Sequence, residues 1–311
     1  MKKIPFICDE IFLRHVSRYS HPERPERIPA ILDAVNSSDI AGSIIMTLPE
    51  KAERNDILRV HSSDHFEMVQ STEGNSYTQL DPDTYANEES FEVAMFASGA
   101  VIKAVKILSD GEYDAAFCCV RPPGHHAERD TPMGFCLFDN IAVGAAWYTE
   151  HNPGKRAAII DFDVHHGNGT QDIFYSRNDV LFISLHQDPL YPYKGKKHET
   201  GYGEGKGFTL NFPLPAGTAG ERYRGIFESE IIPALKEFSP SMLFISAGFD
   251  AHKSDPLANM ALESNDYFEL TKILKEYAVQ AGIPVVSVLE GGYNLSALSE
   301  SVIAHIKGLL R

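Results

Sequence analysis

The sequence predicts a three-layer α/β domain around a parallel sheet, and three observations carry that reading. Five short apolar runs lack the alternation of a half-exposed strand, helical patterns separate some of them, and polar residues gather where the runs end. The runs are "AAFCCV" (115–120), "AAIIDFD" (157–163), "VLFISLH" (180–186), "MLFISAGFD" (242–250) and "IPVVSVLEGGY" (283–293). Each is rich in branched or aromatic residues, the composition of strands covered on both faces. Apolar residues at helical spacing predict helices over 90–111, 220–238 and 264–282, the last with Ser264 or Asn265 as its cap. Alternating strands and helices imply helices on both faces of a sheet.

Composition narrows the function classes. Hydrophobic residues make up 43% of the 311, enough for a sizeable core, and no internal repeat or low-complexity linker interrupts them. A net charge of −15 argues against a nucleic-acid partner held by phosphate contacts. Cys8, Cys118, Cys119 and Cys136 form no CxxC pair, so neither a disulfide framework nor a cysteine metal site is expected. The N-terminal apolar stretch is broken by Asp9 and Glu10, too short for a signal-peptide core. No run approaches a membrane span. A cytoplasmic protein without a membrane partner is the expectation.

The polar residues follow a rule. "RPPGHH" follows the first run, "DFDVHH" ends the second, "GFD" ends the fourth and "EGGY" ends the fifth. Ligand sites in open α/β sheets form beyond the carboxyl ends of strands, so these four ends predict one shared site. Residues 125 to 293 must then converge, and residues 1–311 read as one domain.

In "DFDVHHG", Asp161, Asp163 and His165 alternate, so on an extended chain they point to one side. A carboxylate and an imidazole presented together make the first half of a Zn²⁺ site, and Asp250 is the best third ligand. The competing reading is a polar strand end with capping aspartates; the other strand ends weigh against it. His125 and His126 follow a Pro-Pro-Gly turn, which supplies the unusual backbone that two adjacent inward histidines need. Metal-assisted hydrolysis requires a base for water and an acid for the leaving group, and two histidines can divide that labour. Asp161 is free to orient one of them. Tyr293, after two glycines, can donate to a developing oxyanion. Alone, the histidine pair reads as a solvated loop and the tyrosine as a core residue.

Taken together, "RPPGHHA", "GFC", "DFDVHHGNGTQ", "ISLH", "AGFDAHKSDPL" and "LEGGYN" resemble, in order and context, the histone deacetylase superfamily, which includes bacterial acetylpolyamine amidohydrolases. The resemblance runs from "HPERPER" (21–27) to the end, and "GNGTQ" and "LEGGYN" look like class II enzymes. It implies an arginase/deacetylase-like fold with a mostly parallel eight-stranded sheet between helices. By matched position it assigns Zn²⁺ to Asp163, His165 and Asp250, and tandem catalytic histidines to His125 and His126. His126 would be the general base and acid, Asp161 the partner of His125, and Tyr293 the group that polarises the scissile carbonyl. Asn168 faces His126, as in class II members; class I members have aspartate there. The resemblance also implies a structural K⁺ held by Asp161, Asp163, His165, Ser184 and Leu185, partly through backbone oxygens. A second K⁺ would map to backbone carbonyls of Phe174, Arg177 and Val180. Gly134 and Phe135 match the wall of an acyl-lysine channel, Asp83 the rim aspartate that grips substrate backbone, and Arg27 a basic residue near an inner cavity that receives acetate.

The implied substrate is an acyl-lysine peptide or protein, or an acetylated polyamine. Polyamine-selective members often place an acidic residue after the "GFD" motif; Leu257 stands there, which favours lysine side chains. Two further readings stay open. A two-manganese ureohydrolase would want an aspartate where Lys253 stands. A catalytically dead acyl-lysine-binding scaffold should have lost a ligand, a histidine or the tyrosine, and all are present.

Overall fold

Eight strands form one sheet in the computed structural model, which describes residues 2–311. In chain order the strands are β1 (Ile4–Ile7), β2 (Ile44–Thr47), β3 (Thr78–Asp81), β4 (Thr84–Ala86), β5 (Ala115–Cys118), β6 (Ala157–Asp161), β7 (Val180–Gln187), β8 (Thr209–Leu214), β9 (Met242–Ala247) and β10 (Val285–Leu289). The sheet runs β2-β1-β5-β10-β9-β6-β7-β8 and every neighbouring pair is parallel. Strands β3 and β4 form a separate antiparallel hairpin.

The helices are α1 (Arg27–Asn36), α2 (Arg54–Ile57), α3 (Ser63–Gln70), α4 (Ser90–Ser109), α5 (Asn140–His151), α6 (Asn168–Phe174), α7 (Gly220–Ile226), α8 (Ile232–Phe238), α9 (Ser264–Ala281) and α10 (Leu295–Leu309). Successive residues of β5 show how they layer. Cys118 reaches the Ala100 carbonyl of α4, whereas Phe117 points to the other face, its ring 5.7 Å from His305 of α10. Helix α5 packs on α4, with Gly144 between Val101 and Phe244; α1, α9 and α10 pack together on the opposite side. His305 ties that layer to the sheet, lying 2.6 Å from the Thr271 hydroxyl of α9 and 2.7 Å from the Ser287 hydroxyl of β10.

All five sequence-predicted strands are present, and every residue in them is buried. The sequence pattern did not register β1, β2 and β8. Strand β1 is four residues long, while β2 and β8 are the half-exposed edges, β8 carrying Pro213. The predicted helix over 220–238 contains a π-helical turn, Phe227–Ile231, between α7 and α8. Pro233 has no N–H to return to the preceding turn, and the helix widens just before it. The cap expected at Ser264 or Asn265 is instead Glu263, which forms a reciprocal box with Asp266.

Candidate active site

Strands β5, β10, β9 and β6 lie side by side in the middle of the sheet, so the four polar strand ends converge. The chain leaves β5 and returns at β6, with β10 and β9 between them, which opens a crevice at their carboxyl ends.

Strand β6 stops at Asp161, so the alternation of Asp161, Asp163 and His165 is not that of an extended strand. Two successive aspartate turns replace it. Asp161 Oδ1 accepts from the Asp163 N–H at 3.0 Å, and Asp163 Oδ1 accepts from the His165 N–H at 2.9 Å. Asp250 arrives from the end of β9 and takes the Val164 N–H at 2.9 Å. His165 Nδ1 then lies 3.1 Å from both Asp163 Oδ1 and Asp250 Oδ2, and one ligand atom of each residue falls within 4.8 Å of the others. Glycine makes this approach possible: a Cβ on Gly248 would sit 2.1 Å from Asp163 Oδ2, and one on Gly291 2.1 Å from Asp250 Oδ2.

Both carboxylates are fully buried, and among the described residues their cationic partners within 4 Å are histidines alone. Burial, then the neighbouring Asp163, push Asp250 up to about 7. Burial alone would lower His165, but Asp163 and Asp250 outweigh it and raise it to about 10. A pocket with this excess of negative charge and three convergent O, N and O donors suits a divalent cation with one open position.

The adjacent histidines both face inward because their backbone is gripped from two sides. Glu290, at the end of β10, accepts from the Gly124 and His125 N–H groups at 2.7 and 3.2 Å. The N-terminal turn of α6 donates to the His125 carbonyl from Gly169 and Thr170 at 3.0 and 3.2 Å. The rings stand 4.0 Å apart between centroids. His125 Nδ1 lies 2.9 Å from Asp161 Oδ2, and His126 Nδ1 lies 2.7 Å from Asn168 Oδ1. The two environments differ in sign. Burial disfavours charge on both, but Asp161 and Asp163 overcome it at His125 and hold its pKa well above the ordinary range. At His126, burial followed by the nearby His125 and His165 keeps the pKa well below it.

A cavity of about 260 Å³ opens over these groups, lined by Asp83, His126, Gly134, Phe135, His165, Leu190, Tyr191, Leu257 and Tyr293. All four predicted substrate residues, Asp83, Gly134, Phe135 and Leu257, line it. The wall is built on consecutive left-handed residues, Gly134 (φ 59°) and Phe135 (φ 71°). The β3–β4 hairpin holds both: Asp83 Oδ1 accepts from the Gly134 N–H at 3.1 Å and Thr84 Oγ1 from the Phe135 N–H at 3.0 Å. Asp255 clamps the other side, taking the Tyr293 N–H at 2.7 Å and the Leu257 N–H at 3.0 Å. Burial, then Asp250, keep the Tyr293 phenol protonated well above its ordinary range.

Arg27 lies behind Tyr293, its guanidinium 5.2 Å from the ring centre, and donates to the carbonyls of Gly292 and Glu290. Ser184 of β7 pairs in register with Asp161, with Leu185 the next residue along the strand. Phe174, Arg177 and Val180 sit away from the cavity, at the turn from α6 into β7, where the Arg177 N–H donates to the Phe174 carbonyl at 2.9 Å. Glu290, Asp255, Leu190 and Tyr191 are site-building residues that the sequence did not single out. Glu290 stood inside the recognised "LEGGY" and Asp255 inside "AGFDAHKSDPL".

The family described as "Histone deacetylase domain" matches the chain over residues 21–309. A "Probable deacetylase" of Methanothermobacter thermautotrophicus is 46% identical over 294 residues, covering 93% of this chain and 86% of that one. "Histone deacetylase 10, chloroplastic" of rice, Oryza sativa subsp. japonica, is 39% identical over 304 residues, covering 92% of this chain and 69% of its own length. Among solved structures, the crystal structure of the HDA15 HD domain superposes with a TM-score of 0.93 at 35% identity, over 100% of this chain and 90% of that one.

Proposed function

The chain belongs to the histone deacetylase family, a family of hydrolytic deacetylases, and from that premise we propose a zinc-dependent amidohydrolase that removes acyl groups from lysine side chains of peptides or proteins. The observation that carries the proposal is the buried Asp163, His165 and Asp250 group at the base of a cavity that His126 and Tyr293 also line. A zinc ion held by those three would polarise the scissile carbonyl and lower the pKa of a water.

The chain's own groups supply the rest. With the His126 Nδ1–H donating a hydrogen bond to Asn168 Oδ1, the Nε2 lone pair is left as the base that takes a proton from water and returns it to the departing amine. His125 and Asp161 form an ion pair beside it, a fixed positive charge where negative charge develops. The Tyr293 hydroxyl donates to the carbonyl oxygen as that oxygen gains charge.

Gly134 and Phe135 flank the alkyl chain, and the Asp83 carboxylate at the rim accepts from substrate backbone. Leu257 offers the mouth an apolar contact; the distal ammonium of an acetylated polyamine would lose water there without gaining a partner. K⁺ is proposed at Asp161, Asp163, His165, Ser184 and Leu185, a reading supported by the pairing of Asp161 with Ser184. A second K⁺ is proposed at the Phe174, Arg177 and Val180 carbonyls. The proposed setting is the cytoplasm, consistent with four free, buried cysteines.

The test is a turnover panel of acetyl-lysine peptides, longer acyl-lysines, acetylputrescine and acetylspermidine. The proposal expects kcat/KM for an acetyl-lysine peptide to exceed that for either polyamine at least tenfold, a difference of about 1.4 kcal/mol. The reverse order would make the chain an acetylpolyamine amidohydrolase. Acyl-lysine binding without turnover by zinc-loaded protein would make it a scaffold.

A further inference from the structure

We propose that Glu128 is a positioning residue for the base: its carboxylate fixes the amide of Asn168, and through that amide the tautomer of His126. The inference rests on reading His126 as the base, and it adds a third member behind the histidine and the asparagine.

The geometry is a chain of short contacts. Asn168 Nδ2 donates to Glu128 Oε1 at 2.7 Å, while Asn168 Oδ1 accepts from His126 Nδ1 at 2.7 Å. The other neighbours of Nδ2, the His126 carbonyl and Met133 Sδ, each at 3.3 Å, are acceptors only. An asparagine amide can turn over with almost no change of shape, so its surroundings decide which end faces which partner. Here the Nδ2 side is all acceptors, and the carboxylate is the strongest of them.

Turning the amide over would set Asn168 Oδ1 against that carboxylate, acceptor facing acceptor. It would also present an N–H donor to His126 Nδ1, which would then have to accept. The His126 proton would move to Nε2, and the lone pair required of the base would be gone. Glu128 therefore selects the reactive tautomer without touching the ring.

Glu128 is itself held in place. Its carbonyl lies 3.0 Å from His61 Nδ1, its N–H donates to the Thr131 carbonyl at 3.0 Å, and Lys194 pairs with the same Oε1. Lys194 belongs to the loop that carries Tyr191 into the cavity wall, so one carboxylate oxygen joins the base to that wall. The sequence offers a reason this residue escapes notice: Glu128 in "HHAERD" reads as a solvated loop charge.

A charge-swap cycle on the zinc-loaded enzyme tests the inference. The cycle and its spectroscopic readout are run in a Lys194→Met background, because the Lys194 ammonium, a donor only, would otherwise hold the oxygen of the new glutamine side chain toward Asn168. There, in Glu128→Gln, the partner of Asn168 can present either an oxygen or an NH₂, so the selection is lost; kcat should fall roughly tenfold, a fraction of what a base supplies, with KM unchanged. Asn168→Asp sets two carboxylates face to face. Adding Glu128→Gln to Asn168→Asp restores a donor, so there the same change should raise kcat. That reversal of sign is what a merely structural role would not give. If Glu128→Gln lowers kcat in both backgrounds, or leaves it unchanged in both, the inference is overturned. The ¹⁵N resonances of the His126 ring read the tautomer without turnover: Nδ1-protonated in the parent enzyme, mixed in Glu128→Gln. A mixed tautomer with unchanged kcat would overturn the role of His126 as base, whereas an unmixed tautomer would overturn the role of Glu128.

Discussion

Tyr293 owes its place to a backbone bond: Asp255 takes its N–H, and the ring stands edge-on to Phe135 at 5.9 Å over the cavity. The group that could hold a metal ion is complete without it, in Asp163, His165 and Asp250. Removing the hydroxyl alone should therefore spare metal binding and remove one donor to the oxyanion. Tyr293→Phe is expected to keep one metal ion per chain and to lose about a hundredfold or more in kcat. Metal analysis and steady-state kinetics on the same sample check it; wild-type kcat would remove the tyrosine from the chemistry. Gly134 makes a complementary case. A Cβ there would lie 2.4 Å from His126 Cδ2, and φ of 59° is strained for any other residue. Gly134→Ala should displace the base and cut kcat. Gly225→Ala, where a Cβ meets nothing within 4 Å, should leave kcat unchanged and hold or raise the melting temperature. Equal losses in the two variants would refute this placement of His126. The aspartates of the site stood out because carboxylates ending apolar runs are costly to bury unless something neutralises them, whereas His125, His126 and Tyr293 stood out only in combination with them. Glu290 and Asp255 did not, because the N–H groups through which they build the site, those of Gly124 and His125 for Glu290 and of Tyr293 for Asp255, lie far away in sequence.

At the level of strands and helices, the legible elements were those buried on both faces. Strands β5, β6, β7, β9 and β10 show continuous apolar runs because helices cover both sides. The edges β2 and β8 carry a mixed pattern that does not separate from loop, and they position nothing in the cavity. The turn after β6 was misread in detail, since aspartates spaced by two can build side-chain-to-backbone turns as well as one face of a strand. The layer formed by α9 and α10 makes its own prediction. His305 is sealed between the hydroxyls of Thr271 and Ser287, and burial pushes its pKa from 6.5 down to about 3. Below 6.5 the unfolded chain takes up a proton that the folded one refuses until about pH 3. The stability that neutral His305 provides is thus complete above 6.5 and lost as pH falls through that window, by up to about 1.4 kcal/mol per pH unit. Comparing urea unfolding of the parent and His305→Gln, the stability advantage of the parent should shrink by about 2 kcal/mol between pH 7 and pH 5. A difference independent of pH would show that the histidine accepts its proton inside the fold.

Across the whole molecule, a sheet with one crevice at its centre gathers residues from Asp83 to Tyr293 around three ligand atoms, and the fold is shared with the family over nearly the full chain. A cation bound only by the folded site should also stabilise the fold, by about 2.7 kcal/mol at a hundredfold excess over Kd. Chelation should accordingly lower the melting temperature by several degrees, and zinc should restore it. The measurement that bears most directly on the account is metal content and acetyl-lysine turnover, followed together through chelation and reloading in the parent enzyme and in Asp250→Asn. The account predicts one zinc per chain, turnover that vanishes on stripping and returns with zinc, and an Asp250→Asn protein that lacks both. Full turnover by metal-free protein, or an Asp250→Asn variant that keeps its zinc and its rate, would contradict it.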